Sequence, residues 1–375
     1  QRAWRCYSLP DSIFCRIPHK PPGRHGQKEV PMLSFENDYS EGCHPRILEA
    51  LTRTNLEQLP GYGADHYCAE AAEKIRAACQ APQAQVFFIT GGTQTNQLAV
   101  DLLLHPTEGV VAAETGHVNT HEAGAIEYTG HKVMPLPAHN GKLQAQDLAD
   151  LLRTFWDNAD CEHMVAPGMV YLSHPTEYGT LYTRQELTDI AAVCRQYRIP
   201  LYLDGARLAY GLEAPEADLT LPEIARLCDV LYIGGTKVGA LCGEALVFCQ
   251  QPPARITARI KQHGALNAKG RLLGIQFDVL FTDGLYFQLG RRAVERAMEM
   301  KRRFLAKGYR LWLDSPTNQQ FLLLEDAEAE RLAKLVRYSR WEKPDDSHTV
   351  VRFATSWATT PEMLDALDRL LVAQN

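Results

Sequence analysis

The chain has 375 residues, 45% hydrophobic and 22% charged, with a formal net charge of −6. This is an ordinary globular composition with room for two domains, and its mild acidity gives no electrostatic footprint for nucleic acid. No apolar run approaches the ~18 residues that a membrane-spanning helix requires, and the ten cysteines are scattered without a Cys-x-x-Cys pair. Free thiols in a reducing compartment are therefore expected, with a cytoplasmic location, rather than a disulfide framework.

Residues 1–31 differ from the rest. Prolines 10, 18, 21, 22 and 31 interrupt any helix, and Arg2, Arg5, Arg16, Lys20, Arg24 and Lys28 outnumber the acids. The segment reads as a leader with no apolar face to bury. Its basic composition also resembles an organellar transit peptide, although the prolines spoil the amphipathic helix such signals need.

Residues 32–250 read as a large domain. Helical stretches at Pro45–Arg53 and Ala69–Gln80 precede an alternation of short apolar runs and helical stretches. Val86–Ile89 is followed by Gln97–Leu104, Val110–Ala113 by Val118–Tyr128, Lys132–Leu136 by Leu148–Phe155, and Val170–Ser173 by Gln185–Tyr197. Leu201–Asp204, Val230–Ile233 and Ala245–Phe248 complete the series. Such alternation predicts an α/β fold with a mostly parallel sheet between helices, whose functional residues gather at the carboxyl ends of strands. Residues 251–375 change character and read as a smaller α+β domain. It holds the amphipathic stretch Arg291–Lys307, strands Gln320–Leu324 and Val350–Ala354, and helices Ala327–Ser339 and Pro361–Val372.

The chemistry centres on Asp229–Phe248, two apolar runs joined by a glycine-rich link that carries one lysine, Lys237. Between buried strands, desolvation lowers the pKa of an ammonium and exposes an amine nucleophile, the property of a Schiff-base lysine. Alone, Gly-Gly-Thr-Lys reads more readily as a surface lysine on a glycine-rich hairpin. Upstream, however, Leu201-Tyr-Leu-Asp204 ends a strand on an acid, 33 residues before the lysine (237 − 204). Gly91-Gly-Thr-Gln-Thr-Asn96 forms a turn between a strand and a helix, an anion-binding arrangement. A lysine for the aldehyde, a carboxylate for the ring nitrogen and a phosphate cradle are what pyridoxal 5'-phosphate requires.

These motifs, with Asn37-Asp-Tyr-Ser-Glu-Gly42, Gly61-Tyr-Gly-Ala-Asp65, Glu114-Thr-Gly-His117, His121-Glu-Ala-Gly124, Thr176-Glu-Tyr-Gly179, Leu203-Asp-Gly-Ala-Arg207, Val351-Arg-Phe353 and Ser356-Trp357, run in one order over residues 32–360. In them the chain resembles the low-specificity L-threonine aldolases, pyridoxal-phosphate enzymes of fold type I. The resemblance implies a seven-stranded large domain, a small C-terminal domain, and cleavage of threonine or allo-threonine to glycine and acetaldehyde by a carbon–carbon lyase.

It also implies roles. Lys237 holds the cofactor, Asp204 faces its ring nitrogen, and Gly91, Gly92, Thr93 and Gln94 cradle its phosphate. His117 stacks on the ring near the substrate hydroxyl. Some relatives place a second histidine where this chain reads Thr176-Glu177, so Glu177 is expected to orient a water or the hydroxyl. Arg207 and Arg352 resemble the pair that grips the substrate carboxylate, with Asn37 in place of a family serine. Tyr62, Lys269 and Arg271 resemble groups that reach a neighbouring subunit's site, which implies a homodimer or homotetramer. Another β-lyase or aminotransferase reaction, or a silent cofactor-binding protein, stays open as an alternative. A nicotinamide dehydrogenase is disfavoured because no Gly-x-Gly-x-x-Gly follows the first strand, and Cys161-Glu-His163 has too few ligands to form a metal site.

Overall fold

A computed structural model describes residues 32–374, so the expectation for residues 1–31 lies outside the described residues. Seven strands form one sheet: β1 (Gln85–Ile89), β2 (Glu108–Ala113), β3 (Lys132–Leu136), β4 (Ala166–Ser173), β5 (Leu201–Gly205), β6 (Val230–Gly234) and β7 (Glu244–Phe248). Their order is β1-β7-β6-β5-β4-β2-β3. The run from β6 to β3 is parallel, and β7 is antiparallel to both of its neighbours.

Every residue of β5, β6 and β7 is buried, because helices cover both faces. Alternate residues feed opposite cores. Leu203, Leu231 and Val247 pack with Ile75, Ile190 and Tyr286 on one face. Tyr202, Tyr232 and Leu246 pack with Leu98, Ile126 and Ile260 on the other. Each fully buried large apolar side chain contributes roughly 1.5–3 kcal/mol, which selects this register over a one-residue slip.

A second, antiparallel sheet contains β8 (Arg310–Leu313), β9 (Gln319–Glu325), β10 (Ser339–Glu342) and β11 (His348–Ala354) in the order β10-β11-β9-β8. Leu322, Leu324, Val351 and Phe353 bury one face of it against Phe35, Phe304 and Leu364.

Several local expectations change. The helix expected from Gln97 starts at Gly92, and the stretch 118–128 is two single turns, His117–Thr120 and Ala125–Tyr128, parted at Ala123 and Gly124 with φ of 50° and 77°. The helix expected over 327–339 stops at Ala333. Beyond it, Arg337 exchanges backbone hydrogen bonds with Leu33 and Phe35, contacts that no local periodicity reveals. The small sheet also has four strands where two were legible. Finally, residues after 250 do not pass directly to that sheet. Ile256, Ile260, Phe277 and Tyr286 are buried in the cores beside the seven-stranded sheet. The helix Leu285–Ala306 gives Leu289 and Ala293 to that core and Met300 and Phe304 to the small sheet's core. Among the described residues no helix is long and apolar enough to cross a membrane.

Candidate active site

β5 and β6 end side by side, with Asp204 opposite Tyr232. The loops that follow touch main chain to main chain: a Cβ on Gly234 would lie 2.4 Å from the Ala206 carbonyl oxygen, so only glycine fits there. β6 then enters one 3-10 turn, Thr236–Val238, that carries Lys237. A cavity of about 270 Å³ results, with Asp204 and Lys237 in its wall together with Gly91, Gly92, Thr93 and His117.

Asp204 is buried and fixed by three donors. Tyr171 Oη donates to Oδ2 at 2.7 Å, Asn96 Nδ2 donates to Oδ2 at 2.9 Å, and the Ala206 N–H donates to Oδ1 at 2.9 Å. Burial, reinforced by the charge of Arg207, holds the Lys237 amine below its usual pKa, as an amine nucleophile requires. Glu244 also lines the cavity; it accepts from the Thr236 hydroxyl at 2.6 Å and the Gly235 N–H at 2.9 Å, and burial pushes its pKa up to about 7.

A second cavity of about 410 Å³ adjoins the first, sharing His117, Glu177, Arg207 and Lys237 and adding His121, Trp341 and Arg352. Glu177 accepts from the His117 N–H at 2.9 Å and the Ser173 hydroxyl at 2.6 Å, and burial raises its pKa. The His121 ring lies between His117 (5.5 Å) and Trp341 (6.5 Å), stacked on both. His174, the histidine nearest Glu177 in the chain, is buried, and burial brings it down to about 4.

The two arginines differ. Arg207 Nε and Nη2 are held by Asp38 at 2.7 and 2.9 Å, a pair in which the carboxylate is fully buried. Arg352 donates to neutral acceptors: Gln319 Oε1 at 3.0 Å, the Glu36 carbonyl at 3.3 Å and Ser339 Oγ at 3.1 Å. Its Nε is buried without a partner, and its guanidinium lies 4.9 Å from the Trp341 ring. Burial and the charge of Arg207 push the Arg352 pKa down to about 10.

Five expected residues lie outside these two cavities. Gln94 donates to the His263 carbonyl at 3.1 Å, drawn away by its position on the first turn of the helix Gly92–Leu103. The Asn37 side chain accepts from the Tyr39 N–H at 3.0 Å and the Ser40 hydroxyl at 2.8 Å, a local turn. Tyr62 borders a separate cavity of about 290 Å³ and stacks under Lys261. Lys269 and Arg271 border another, where Arg271 donates to the Glu57 and Asn55 carbonyls at 2.6 and 3.2 Å. Conversely, Asp38, Asn96, Glu122 and Glu244 belong to the site and were not singled out in sequence. All four lie inside stretches quoted above, and Glu244 follows the last glycine of the lysine loop.

The residues fit pyridoxal phosphate. Gly91, at the N-cap of the helix Gly92–Leu103, makes no side-chain cap, so the first-turn N–H groups face an approaching anion. A Cβ on Gly91 would meet nothing within 4 Å, whereas one on Gly92 would come 2.8 Å from the Tyr232 hydroxyl. Residues 41–337 match the family model described as "Beta-eliminating lyase". The chain belongs to the β-eliminating lyase family. Members of this family and of the related aminotransferases are pyridoxal-phosphate-dependent, and this lyase shares their fold. It is 30% identical to the low-specificity L-threonine aldolase of Pseudomonas aeruginosa over 89% of this chain and 96% of that one. It is 45% identical to a solved threonine aldolase from Leishmania major, with a TM-score of 0.85 over 90% of this chain and 99% of that one. A solved Escherichia coli protein with a methionine aminotransferase function superposes with a TM-score of 0.70 over 91% and 93% of the two chains; at 14% identity it speaks for the fold alone.

Proposed function

We propose that this lyase is an L-threonine/L-allo-threonine aldolase that uses pyridoxal 5'-phosphate to form glycine and acetaldehyde. The observation that carries the reading is a single cavity in which Lys237, His117 and Arg352 meet. Bound, the cofactor would act as the electron sink for the carbon–carbon cleavage. Lys237 would hold its aldehyde, Asp204 would keep its ring nitrogen protonated, and the N–H groups after Gly91 would receive its phosphate. The Glu244 carboxyl, whose pKa burial raises to about 7, is partly neutral near neutral pH, which limits its repulsion of that phosphate. Arg352 would take the substrate carboxylate: it is a half-buried cation with no carboxylate partner among the described residues, and a planar fork suits that group. Holding the carboxylate there would fix the orientation of the substrate's Cα in the cavity.

A homodimer or homotetramer with shared sites is part of the same proposal, supported by the placement of Tyr62, Lys269 and Arg271 away from their own chain's cavity. A cytoplasmic location accords with the eight free cysteines among the described residues. The test is to feed L-threonine and L-allo-threonine to the cofactor-loaded protein without an oxo-acid acceptor. Equal amounts of acetaldehyde and glycine are expected. Ammonia and 2-oxobutyrate in their place would overturn the aldolase reading and leave a β-eliminating one.

A further inference from the structure

Glu122, between the turns His117–Thr120 and Ala125–Tyr128, is only 4% exposed. Its Oε1 accepts from Asn96 Nδ2 at 2.8 Å and lies 2.7 Å from His117 Nδ1. The same Asn96 amide donates to Asp204 Oδ2 at 2.9 Å, while Asn96 Oδ1 accepts from the Tyr202 hydroxyl at 2.7 Å. One amide therefore ties the carboxylate at the ring-nitrogen position to the carboxylate beside His117. The five side chains hold one another through these bonds, although Glu122 Oε2 is buried without a partner.

An ionised carboxylate only accepts hydrogen bonds. Glu122 therefore requires the proton on His117 Nδ1 and leaves Nε2 as the nitrogen with a free lone pair. The charged and titratable groups around the ring are Glu122, Asp204, Glu177, Arg207 and Lys237, with His121 stacked at 5.5 Å and Arg352 beyond it. Burial pushes the His117 pKa down, but the hydrogen bond and charge of Glu122, joined by Asp204, outweigh burial and bring it above its ordinary value. Glu122 itself stays ionised: burial would raise its pKa, yet His117 and Asn96 together bring it below the usual carboxylate range. Glu177 is the competing base, but its Oε1 already accepts two hydrogen bonds.

We propose that Glu122 is a positioning residue that fixes the tautomer of His117 and increases the basicity of its Nε2, so that this nitrogen takes the substrate's β-hydroxyl proton. The step rests on the retro-aldol reading above. The O–H bond breaks as Nε2–H forms, the oxygen's electron pair becomes the second bond of the aldehyde carbonyl, and the Cα–Cβ pair stays with the glycine fragment. The proton gained by Nε2 balances the one that the glycine carbon takes up before release. The logic is that of a carboxylate orienting a catalytic imidazole.

Glu122→Gln tests this, because glutamine keeps the shape and an oxygen acceptor while removing the charge. In the cofactor-free protein, the His117 ring followed by ¹⁵N NMR is expected to titrate about one pH unit lower than in wild type, the scale of losing one adjacent charge. In the loaded enzyme, the acid limb of kcat/KM for L-threonine is expected to move to lower pH. The plateau of kcat should fall roughly 10²-fold, within the range of a general base, with KM nearly unchanged. Glu122→Asp retains the charge one methylene back and should place the His117 titration between wild type and E122Q, a graded response that a merely architectural side chain would not give. Unmoved His117 titration and an unmoved acid limb in E122Q would overturn the proposal, as would a limb that moves only in Glu177→Gln. If wild type releases no acetaldehyde from threonine, the retro-aldol reading fails, while the NMR titration still decides whether Glu122 governs His117.

Discussion

Replacing Glu244 by Gln removes a carboxyl that is 3% exposed in the wall of the cofactor cavity. Burial dominates its surroundings and pushes its pKa to about 7, from an ordinary 4.5. The folded value lies above the unfolded one, so folding tightens the hold on this proton. The resulting stabilisation is complete below pH 4.5 and is lost as the pH rises through about 7. At about 1.4 kcal/mol per pH unit the gap is worth on the order of 3 kcal/mol. Glutamine is neutral at every pH, but its amide must sit where one oxygen now accepts from Thr236 or Gly235, a loss of about 1 kcal/mol at all pH values. The two stability curves should therefore cross. Cofactor-free E244Q is expected to exceed wild type by about 2 kcal/mol near pH 8.5 and to fall about 1 kcal/mol below it near pH 4.5. Urea unfolding of both proteins across that range, at fixed ionic strength, measures the difference directly. A difference that stays constant with pH would show that Glu244 does not change its protonation on folding, and the reasoning would fail.

Borohydride reduction of the loaded protein should fix the cofactor to the peptide containing Lys237, and label on any other lysine would remove Lys237 from its role. Arg352→Lys should raise KM for threonine strongly with a smaller effect on kcat, because an ammonium cannot present the bidentate fork; an unchanged KM would exclude Arg352 from carboxylate binding. Asp38→Asn removes the buried carboxylate from the mostly buried Arg207 guanidinium and should destabilise the fold by about 3 kcal/mol, the low end for a buried pair, in denaturant titrations. The double variant D38N/R207Q should recover part of that loss, and strict additivity would argue against an uncompensated charge as the cause.

Lys237, Asp204 and the Gly91–Thr93 turn were legible because each lies where an apolar strand run stops, a purely local signal. Glu122 was not, although its motif was plain. What makes it functional is Asn96, 26 positions away, and through Asn96 the carboxylate of Asp204 at a separation of 108. Asp38 reaches Arg207 across 169 positions in the same way. β10 escaped notice because Ser339-Arg-Trp-Glu342 has no apolar run and is paired on one side only, to β11. The helix expected through Ser339 reflected good local propensity from Ala327 onward. The backbone beyond Ala333 is claimed instead by Leu33 and Phe35, some 300 residues earlier in the chain. Period and punctuation reveal strand ends; partners chosen across the fold leave no such mark.

The contrast between Arg207 and Arg352, the pair that the resemblance assigned to the substrate carboxylate, follows from the same distinction. Arg207 follows β5 and meets a fully buried carboxylate from the segment before the first helix, so its charge is already balanced. Only Nη1 remains outside that bidentate pair, and the residue pins the segment around Asp38 to the large sheet. Arg352 comes from β11 of the small sheet, and its Nη groups meet only neutral acceptors. Keeping a half-buried guanidinium without a counter-charge costs some stability, and an anion entering the cavity would relieve that cost. Binding of a small carboxylate should therefore raise the melting temperature of wild type and leave Arg352→Gln largely unaffected. Arg352→Gln without ligand should be as stable as wild type or more so, the reverse of the loss expected for Asp38→Asn. If removing Arg352 instead destabilised the fold as much as removing Asp38, its charge would be structurally compensated, and the assignment of the carboxylate to Arg352 would have to be withdrawn.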